Sequence, residues 1–259
     1  RRLPVLIFRI DDGDIIIRLF FSPSETFAPW REKENTEPDS DDVKSLVYDE
    51  FEAKVSSRHL ALASYYFEAM LSGPWLEAVS CADGLRHVCL KDEEGFDPDA
   101  LKILFNVIHG KNRIVPRSVD FEMLAKIAVM VDYFQCYEAF EVYINIWIEP
   151  FTGKPLPTSL SRDFVFWILI SSVFNKPIIL KSGTKIAILH GAGPMPTMKL
   201  PIRSSIIENV HFQQQSLVGQ VLDAIRRFSK KLAKDKTGCT FQCNSVLLAK
   251  SSVLSSITI

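Results

Sequence analysis

The sequence predicts an α+β protein, with a small sheet and helices in its first part and an all-helical C-terminal region. Three short β-branched or aromatic segments bounded by turn residues predict strands within the first 90 residues. Longer segments with apolar residues at spacings of three and four predict helices over most of the remaining chain. A chain of 259 residues is long enough to bury a substantial core in one large or two small domains.

The first two predicted strands flank a segment of different character. Residues 14–21, DIIIRLFF, follow the turn signal at residues 12–13, and residues 46–54, LVYDEFEAK, carry apolar side chains at roughly alternate positions. Between them, residues 22–42 contain three prolines and many acids with little periodicity, which predicts an acidic loop insert. The two strands would pair as a hairpin. The acids of the insert belong either to a solvated loop or to an acidic docking segment.

Residues 51–77, FEAKVSSRHLALASYYFEAMLSGPWLE, predict a strand that leads into a tight helical hairpin. Ser56 and Ser57 form a polar pair able to cap the first helix. Two short apolar helical segments follow, and Gly73 and Pro74 stop the second. Nothing in this segment suggests catalysis, so its composition favours packing and protein binding.

Large side chains of the hairpin divide into two predicted roles. Phe67 and Met70 are expected to face the core, because an aromatic stripe at helical spacing is usually packing. Tyr65 and Trp75 flank the hairpin and are candidate anchors for a protein partner, since Tyr and Trp are favoured at the energetic centres of interfaces.

A third strand and three helices are predicted before the strongest boundary in the chain. Residues 86–90, RHVCL, read as the strand, and Asp97 followed by Pro98 is a typical helix start that Gly110 brings to an end. The boundary lies at residues 150–157, PFTGKPLP. A second helix is predicted after Pro116, and its apolar face consists of Phe121, Leu124, Ile127, Ala128 and Val131. A third helix is predicted from Tyr137 to Ile148.

The region after the boundary is predicted to be helical. Residues 164–174, FVFWILISSVF, form the longest apolar run, but a membrane span needs about 20 such residues, so a buried helix is expected. Residues 176–196 are ambiguous, and a long helix follows from Ser204.

That long helix carries Val218, Val221, Leu222, Ile225, Phe228 and Leu232 at spacings of three and four, and a basic face that includes Lys230 and Lys231. The basic face is either solvated or contacts nucleic acid or an acidic partner; Lys230 and Lys231 are therefore further candidates for a partner interface.

Composition limits the class of protein. A formal net charge of −1 argues against a chain built around nucleic acid, because phosphate binding depends on clustered Lys and Arg. The five cysteines are odd in number and scattered, which favours a reducing compartment, so an intracellular location in the cytoplasm, the nucleus or both is expected. The apolar patch near the start is too short for a signal peptide.

Motifs for catalysis or cofactor binding are not evident, so we expect no enzyme, cofactor, metal or small-molecule substrate. Cys239 and Cys243 lack the further ligands of a zinc site and are interpreted as ordinary thiols, with a metal or redox pair as the alternative. The loop at residues 190–194, HGAGP, lacks the later Gly and the Lys-Ser/Thr of a phosphate loop. The histidines fall in no metalloprotease frame.

The order of these elements and a set of residues within them form a recognisable pattern. The residues are Phe51, Leu60, Ala63, Ser64, Phe67, Met70 and Leu71 in the hairpin, then His87–Asp92, Asp97, Leu101, Leu104, Ile108–Gly110, Phe121–Ala128 and Asp132–Phe134. The pattern resembles the BTB (POZ) domain over residues 14–149. A narrower resemblance, to filamentous-fungal BTB proteins with no further named domain, extends more faintly to about residue 248. It divides the chain into the BTB domain, a linker at 150–157, a helical region at 158–250 and an unassigned tail at 251–259.

The sequence also departs from the family. Ser56 stands where many BTB domains have a histidine, His109 takes a place usually held by another aromatic residue, and the insert at 22–42 is unusually long.

The resemblance implies a small three-stranded sheet with helices packed around it, and a non-catalytic protein that dimerises through this domain and recruits protein partners, as a homodimer or a heterodimer. Two alternatives remain open: a substrate adaptor on a cullin scaffold of a ubiquitin ligase, and a transcription-associated factor that uses the basic C-terminal helix. No membrane association is expected.

Overall fold

The computed structural model describes residues 6–20, 27, 50–74, 79–90, 96–234, 242, 243, 245–247 and 249. It has an α+β architecture, in which a small mixed four-stranded sheet with helices is followed by a long all-helical C-terminal region. In chain order the elements are β1 (Leu6–Arg9), β2 (Ile15–Phe20), β3 (Glu50–Val55), α1 (Ser57–Ala63), α2 (Tyr65–Ser72), β4 (Arg86–Leu90), α3 (Pro98–Ile108), α4 (Phe121–Phe134), α5 (Tyr137–Thr152), α6 (Arg162–Val173), α7 (Pro177–His190) and α8 (Ser204–Ala233).

The sheet has the strand order β1-β3-β2-β4. β2 and β3 pair antiparallel, as the sequence predicted, while β1 pairs parallel with β3 and β4 parallel with β2. Alternate residues of a strand point to the same side of the sheet, and on one of the two sides these side chains are buried. The outer face carries Arg18, which is bonded to Glu52 on the neighbouring strand at 3.1 Å. The buried residues are Ile15, Ile17, Leu19, Phe51, Ala53, Val55, Val88 and Leu90.

The prediction of a three-stranded sheet was wrong, because β1 adds a fourth strand within the described residues. A tight turn joins β1 to β2, and the Ile10 amide bonds to the Lys54 carbonyl at 2.8 Å. Gly13 is required in this turn, since a Cβ there would lie 2.9 Å from the backbone nitrogen and oxygen of Val55. β1 has four residues and a partner more than 40 positions away, so it leaves little local signal.

The helix α6 is buried along its length, as predicted, and packs on α4. Phe121 of α4 contacts the rings of Phe151 and Trp167 at centroid distances of 5.3 and 5.0 Å, which joins α4, α5 and α6. α5 continues past its predicted end at Ile148 to Thr152, with Pro150 inside its last turn. Because proline has no amide proton, the Ile146 carbonyl four positions earlier loses its helical donor in this turn.

A partly buried ion-pair network connects α3, α4 and α6. Lys126 lies 3.0 Å from Asp97 and 2.9 Å from Glu122, and Arg162 lies 2.6 Å from Glu122. Burial works to lower the pKa of Lys126, but its hydrogen bonds to Glu122 and Asp97 outweigh that effect and raise it. Burial likewise works to raise the pKa of Glu122, and its bonds to Lys126 and Arg162 bring it below the usual value. Lys126 and Glu122 are therefore both charged at neutral pH.

The chain separates into two compact units. The first contains the residues up to 183 together with 196–203, and the second contains 184–195 and the residues from 204 onward. The segment that was ambiguous in the sequence forms α7, and the long helix predicted from Ser204 is α8. The predicted domain boundary at 150–157 stays a prediction. A membrane-spanning helix is not found in the described part of the chain, where no helix combines the required length and apolar character.

The helical hairpin α1–α2 is held to α4 at one junction. The Ser64 hydroxyl accepts a bond from the Phe67 amide at 3.1 Å and donates its own proton to the Phe134 carbonyl. One side chain thus caps the start of α2 and satisfies a carbonyl at the end of α4. The rings of Phe67 and Phe134 stack at 4.9 Å and 11°. Phe67 is fully buried, as predicted, and Met70 is half buried.

Replacing Ser64 tests this junction. We expect Ser64→Ala to lower the free energy of unfolding by about 1–3 kcal/mol, because it removes a helix cap and leaves a buried carbonyl without its donor. Urea denaturation measures the change. Ser182→Ala is the matched control, since that exposed hydroxyl bonds only to the Ile178 carbonyl within its own helix, and its effect should stay within about 0.5 kcal/mol. Equal effects of the two variants would contradict the role given to Ser64.

Candidate protein interface

Asp14 caps the first helix of the hairpin from a neighbouring strand end. Its carboxylate accepts bonds from the Ser57 amide at 2.7 Å and from the Ser57 hydroxyl at 2.6 Å. The Ser56 side chain makes no such capping bond, so the predicted cap by the serine pair is replaced by a longer-range one. Burial works to raise the pKa of Asp14, but the bonds from Ser57 outweigh it and hold the pKa below its usual value. Asp14 is therefore ionised at neutral pH.

His109 fixes the other side of the same helix start. Its Nδ1 donates to the Phe105 carbonyl at 2.8 Å, because a carbonyl can only accept. Its Nε2 accepts the Ser56 amide proton at 3.0 Å. The two bonds together require the neutral ring with the proton on Nδ1. Burial lowers the pKa of His109, and the His59 ring, 5.2 Å away, also opposes a positive charge there.

These anchors hold an exposed apolar surface in a fixed position. Tyr65, a predicted anchor, is 68% exposed at the first position of α2. Leu62, at the end of α1, is 88% exposed. Leu62 was not predicted as an anchor, although one signal was present: Leu60 is buried, and a residue two positions later on a helix lies on nearly the opposite side. Trp75 lies outside the described residues.

The other two candidate residues lie on the second unit. Lys230 and Lys231 are both exposed in the last turns of α8. The predicted interface residues therefore belong to two separate surfaces, one on the hairpin of the first unit and one on α8, and each is treated by itself.

The first unit also contains a pocket of about 460 Å³ beside α5 and the end of α6. It is lined by both signs of charge, with Glu138 and Glu141 on α5 and with Lys176 and Arg203. Tyr137 lies at its edge and donates to Asp132 at 2.7 Å. Burial and this bond to a carboxylate raise the pKa of Tyr137 to about 12, so the phenol stays protonated at neutral pH. The mixed lining suits a peptide with polar and apolar side chains.

Chemically reactive groups are dispersed in the described residues. No group of three or more His, Cys, Asp or Glu side chains suitable for a metal ion occurs among them. Cys136 is buried, and burial raises the pKa of its thiol to about 12, so it is a poor nucleophile. Cys239 lies outside the described residues, so the interpretation of the Cys239–Cys243 pair stays a prediction.

The glycine-containing loop at residues 190–194 follows the end of a helix. The Gly191 amide bonds to the Ala187 carbonyl, in the last turn of α7, at 3.0 Å. A helix C-terminus presents carbonyl oxygens and negative partial charge, whereas phosphate is bound at helix N-termini. The backbone polarity at this helix end is therefore opposite to that of a phosphate-binding helix N-terminus.

Comparison with known proteins leaves the family open. No protein-family model matches this chain. No curated protein matches it significantly. The fold and the surfaces described above are therefore the basis for the functional proposal.

A pH-dependent stability is expected from His109. The pKa of this residue is lowered in the folded protein, so the unfolded chain binds the proton more readily. Stability from this residue is present above its unfolded pKa of about 6.5 and is lost as the pH falls from there through the folded pKa. We expect His109→Phe to flatten the decline between about pH 7 and 5, and to cost about 1–3 kcal/mol at neutral pH because the Ser56 amide loses its acceptor.

Urea denaturation at a series of pH values measures this effect. His190→Phe is the control, because His190 is exposed at the end of α7, and this variant should keep the slope of the unmodified protein. An unchanged slope in His109→Phe would show that the lowered pKa does not govern stability.

Proposed function

We propose that this chain is a non-catalytic protein–protein interaction module with a BTB-type fold, which self-associates through its first unit and recruits protein partners. The observation that carries the proposal is the exposure of Leu62 and Tyr65 on a hairpin whose helix starts are fixed by Asp14, Ser64 and His109. The order of strands, helical hairpin and helices over residues 14–149, with the sequence pattern quoted above, supports the BTB assignment.

Binding through the hairpin has both a favourable and an unfavourable contribution to its free energy. Burying an exposed Leu side chain contributes about 2 kcal/mol, and a Tyr contributes area with only two side-chain torsions to restrict. Since the hairpin backbone is already held by caps and by the Phe67–Phe134 stack, little further ordering accompanies binding. Rigid, exposed apolar residues of this kind are what a specific interface requires.

Self-association through the hairpin is tested by introducing charge. We expect Leu62→Asp combined with Tyr65→Asp to raise the dissociation constant of a homodimer at least about tenfold, because each substitution occurs twice in a two-fold interface. Analytical ultracentrifugation of the full chain over a concentration series measures it. Val142→Asp is the matched control, since Val142 is 69% exposed on α5 of the same unit.

The outcomes separate clearly. Association of the unmodified chain that persists in the control and weakens at least about tenfold in the double variant supports the proposal. A full chain that stays monomeric at all concentrations and retains no protein from the native cell counts against it, as does equal weakening by Val142→Asp or no weakening in the double variant.

A second candidate function is that of a substrate adaptor on a cullin scaffold, and the pocket beside α5 is the observation that favours it. Helix α6 continues the first unit after α5, and the pocket between them offers a place for an extended peptide. We expect Glu141→Lys with Lys176→Glu to abolish co-purification with a cullin from the native cell, with Val142→Asp as control. Failure of the unmodified chain to retain a cullin would exclude this function.

The remaining expectations are weaker proposals. A transcription-associated role would use Lys230 and Lys231, whose exposure permits contact with nucleic acid or an acidic partner. An intracellular location, in the cytoplasm, the nucleus or both, stays a prediction.

A further inference from the structure

Helix α8 carries an apolar stripe that the described chain leaves uncovered. The stripe consists of Leu217, Val221, Ala224 and Phe228, which are separated by four, three and four residues. Leu217 is 38%, Val221 58% and Phe228 47% exposed, and Ala224 is also exposed. With 3.6 residues per turn these positions lie along one edge of the helix over about three turns. This alternation of three and four is the spacing at which helices pair through interdigitated side chains.

We propose that the α8 stripe pairs with the α8 stripe of a second copy of this chain, in antiparallel orientation, centred between Leu222 and Asp223. This interface belongs to the second unit and does not rest on the proposed function of the first. The pairing places Leu217 of one copy opposite Phe228 of the other, and Val221 opposite Ala224. At the centre of the pair the small Ala224 leaves room for Val221, as interdigitated packing requires. At the two ends Leu217 and Phe228 cover each other.

Gln214 and Lys231 mark the two ends of the stripe. They are the next positions of the same spacing in each direction, and the central two-fold axis places them opposite each other. Gln214 is half buried and donates to the Ala187 carbonyl of α7 at 2.9 Å, so the apolar contact ends there, and Lys231 is exposed at the other end. The polar residues therefore limit the apolar contact to four positions from each copy.

The distribution of charged residues along α8 favours one kind of partner and one orientation. Between residues 216 and 234, α8 and the residue after it contain one acid, Asp223, and five basic side chains, all at or beyond position 226. Arg226 and Lys230 lie on the side of the helix opposite the stripe. An acidic partner attracted by those charges would therefore cover the polar side and leave the stripe exposed.

A parallel pair would bring the two basic ends together and is disfavoured by repulsion. An antiparallel pair places each basic end beside residues 211–220 of the other copy, which carry no carboxylate or permanent cation, and aligns the helix dipoles favourably. A second copy in this orientation is the occupant that the charges and the spacing fit together.

Disulfide trapping in the full chain tests the pairing and its orientation. Cys81, Cys89, Cys239 and Cys243 are first replaced by Ser, leaving the buried Cys136. Leu217→Cys and Phe228→Cys are then made as separate variants of different tag length. We expect a covalent heterodimer when the two are mixed under mild oxidation. Neither variant alone should link, because like positions would lie about 16 Å apart in an antiparallel pair.

Two further variants test whether disulfide linking depends on the apolar stripe. Val221→Glu should reduce the linked fraction at least about tenfold, whereas Lys230→Glu, on the opposite side of the helix, should leave it unchanged. Adding Leu62→Asp and Tyr65→Asp removes the contact proposed for the first unit and should not prevent linking. The failure of one proposal is therefore distinguishable from the failure of the other.

Three results would overturn the proposal. Absence of linking in the mixture would show that the stripe does not pair with a second copy. Linking of Leu217→Cys with itself would show a parallel pair. Equal losses in Val221→Glu and Lys230→Glu would show that the apolar stripe is not the contact.

Discussion

The contact between the start of α2 and the end of α4 is the constraint on which the described hairpin depends. Ser64 caps α2 and also donates to the Phe134 carbonyl, and the stacked rings of Phe67 and Phe134 close the same junction. A short two-helix segment of this kind has no stability of its own, because helices shorter than about 12 residues are marginal in water. Its position is therefore set by α4, and α4 is in turn fixed by α6 through the Glu122–Arg162 pair.

The same contact also determines which side chains of the hairpin face solvent. Asp14 and His109 hold the start of α1 from a strand and from α3, so both helices of the hairpin have fixed origins. Leu62 and Tyr65 then face solvent because their neighbours Leu60, Ser64 and Phe67 are committed to the core. An exposed apolar pair on a rigid base differs from one on a loose loop, since binding has little backbone entropy left to remove.

Much of this arrangement could be predicted from the sequence, and the parts that could not share a physical origin. The strand at Arg86–Leu90, the α1–α2 hairpin and the cap of α3 by Asp97 were predicted because each depends on residues close together in the chain. β1 was missed, and the capping of α1 by Asp14 and the bond from Ser56 to His109 were not foreseen. Those features depend on partners 43 or more positions apart, which neither periodicity nor turn chemistry reveals.

The amphipathic pattern of α8 shows another limit of prediction from sequence. The spacing of its apolar residues was evident in the sequence, but a pattern cannot say whether a stripe is covered within its own chain. Val221 and Phe228 remain exposed in the structure, whereas Leu232 is buried. If the stripe pairs with a second copy, and if the hairpin of the first unit does so as well, the chain has two symmetric contacts. One such contact ends at a dimer, whereas two of them can link copies into a larger closed or extended assembly. An assembly of this kind would bring several copies of each partner-binding surface together.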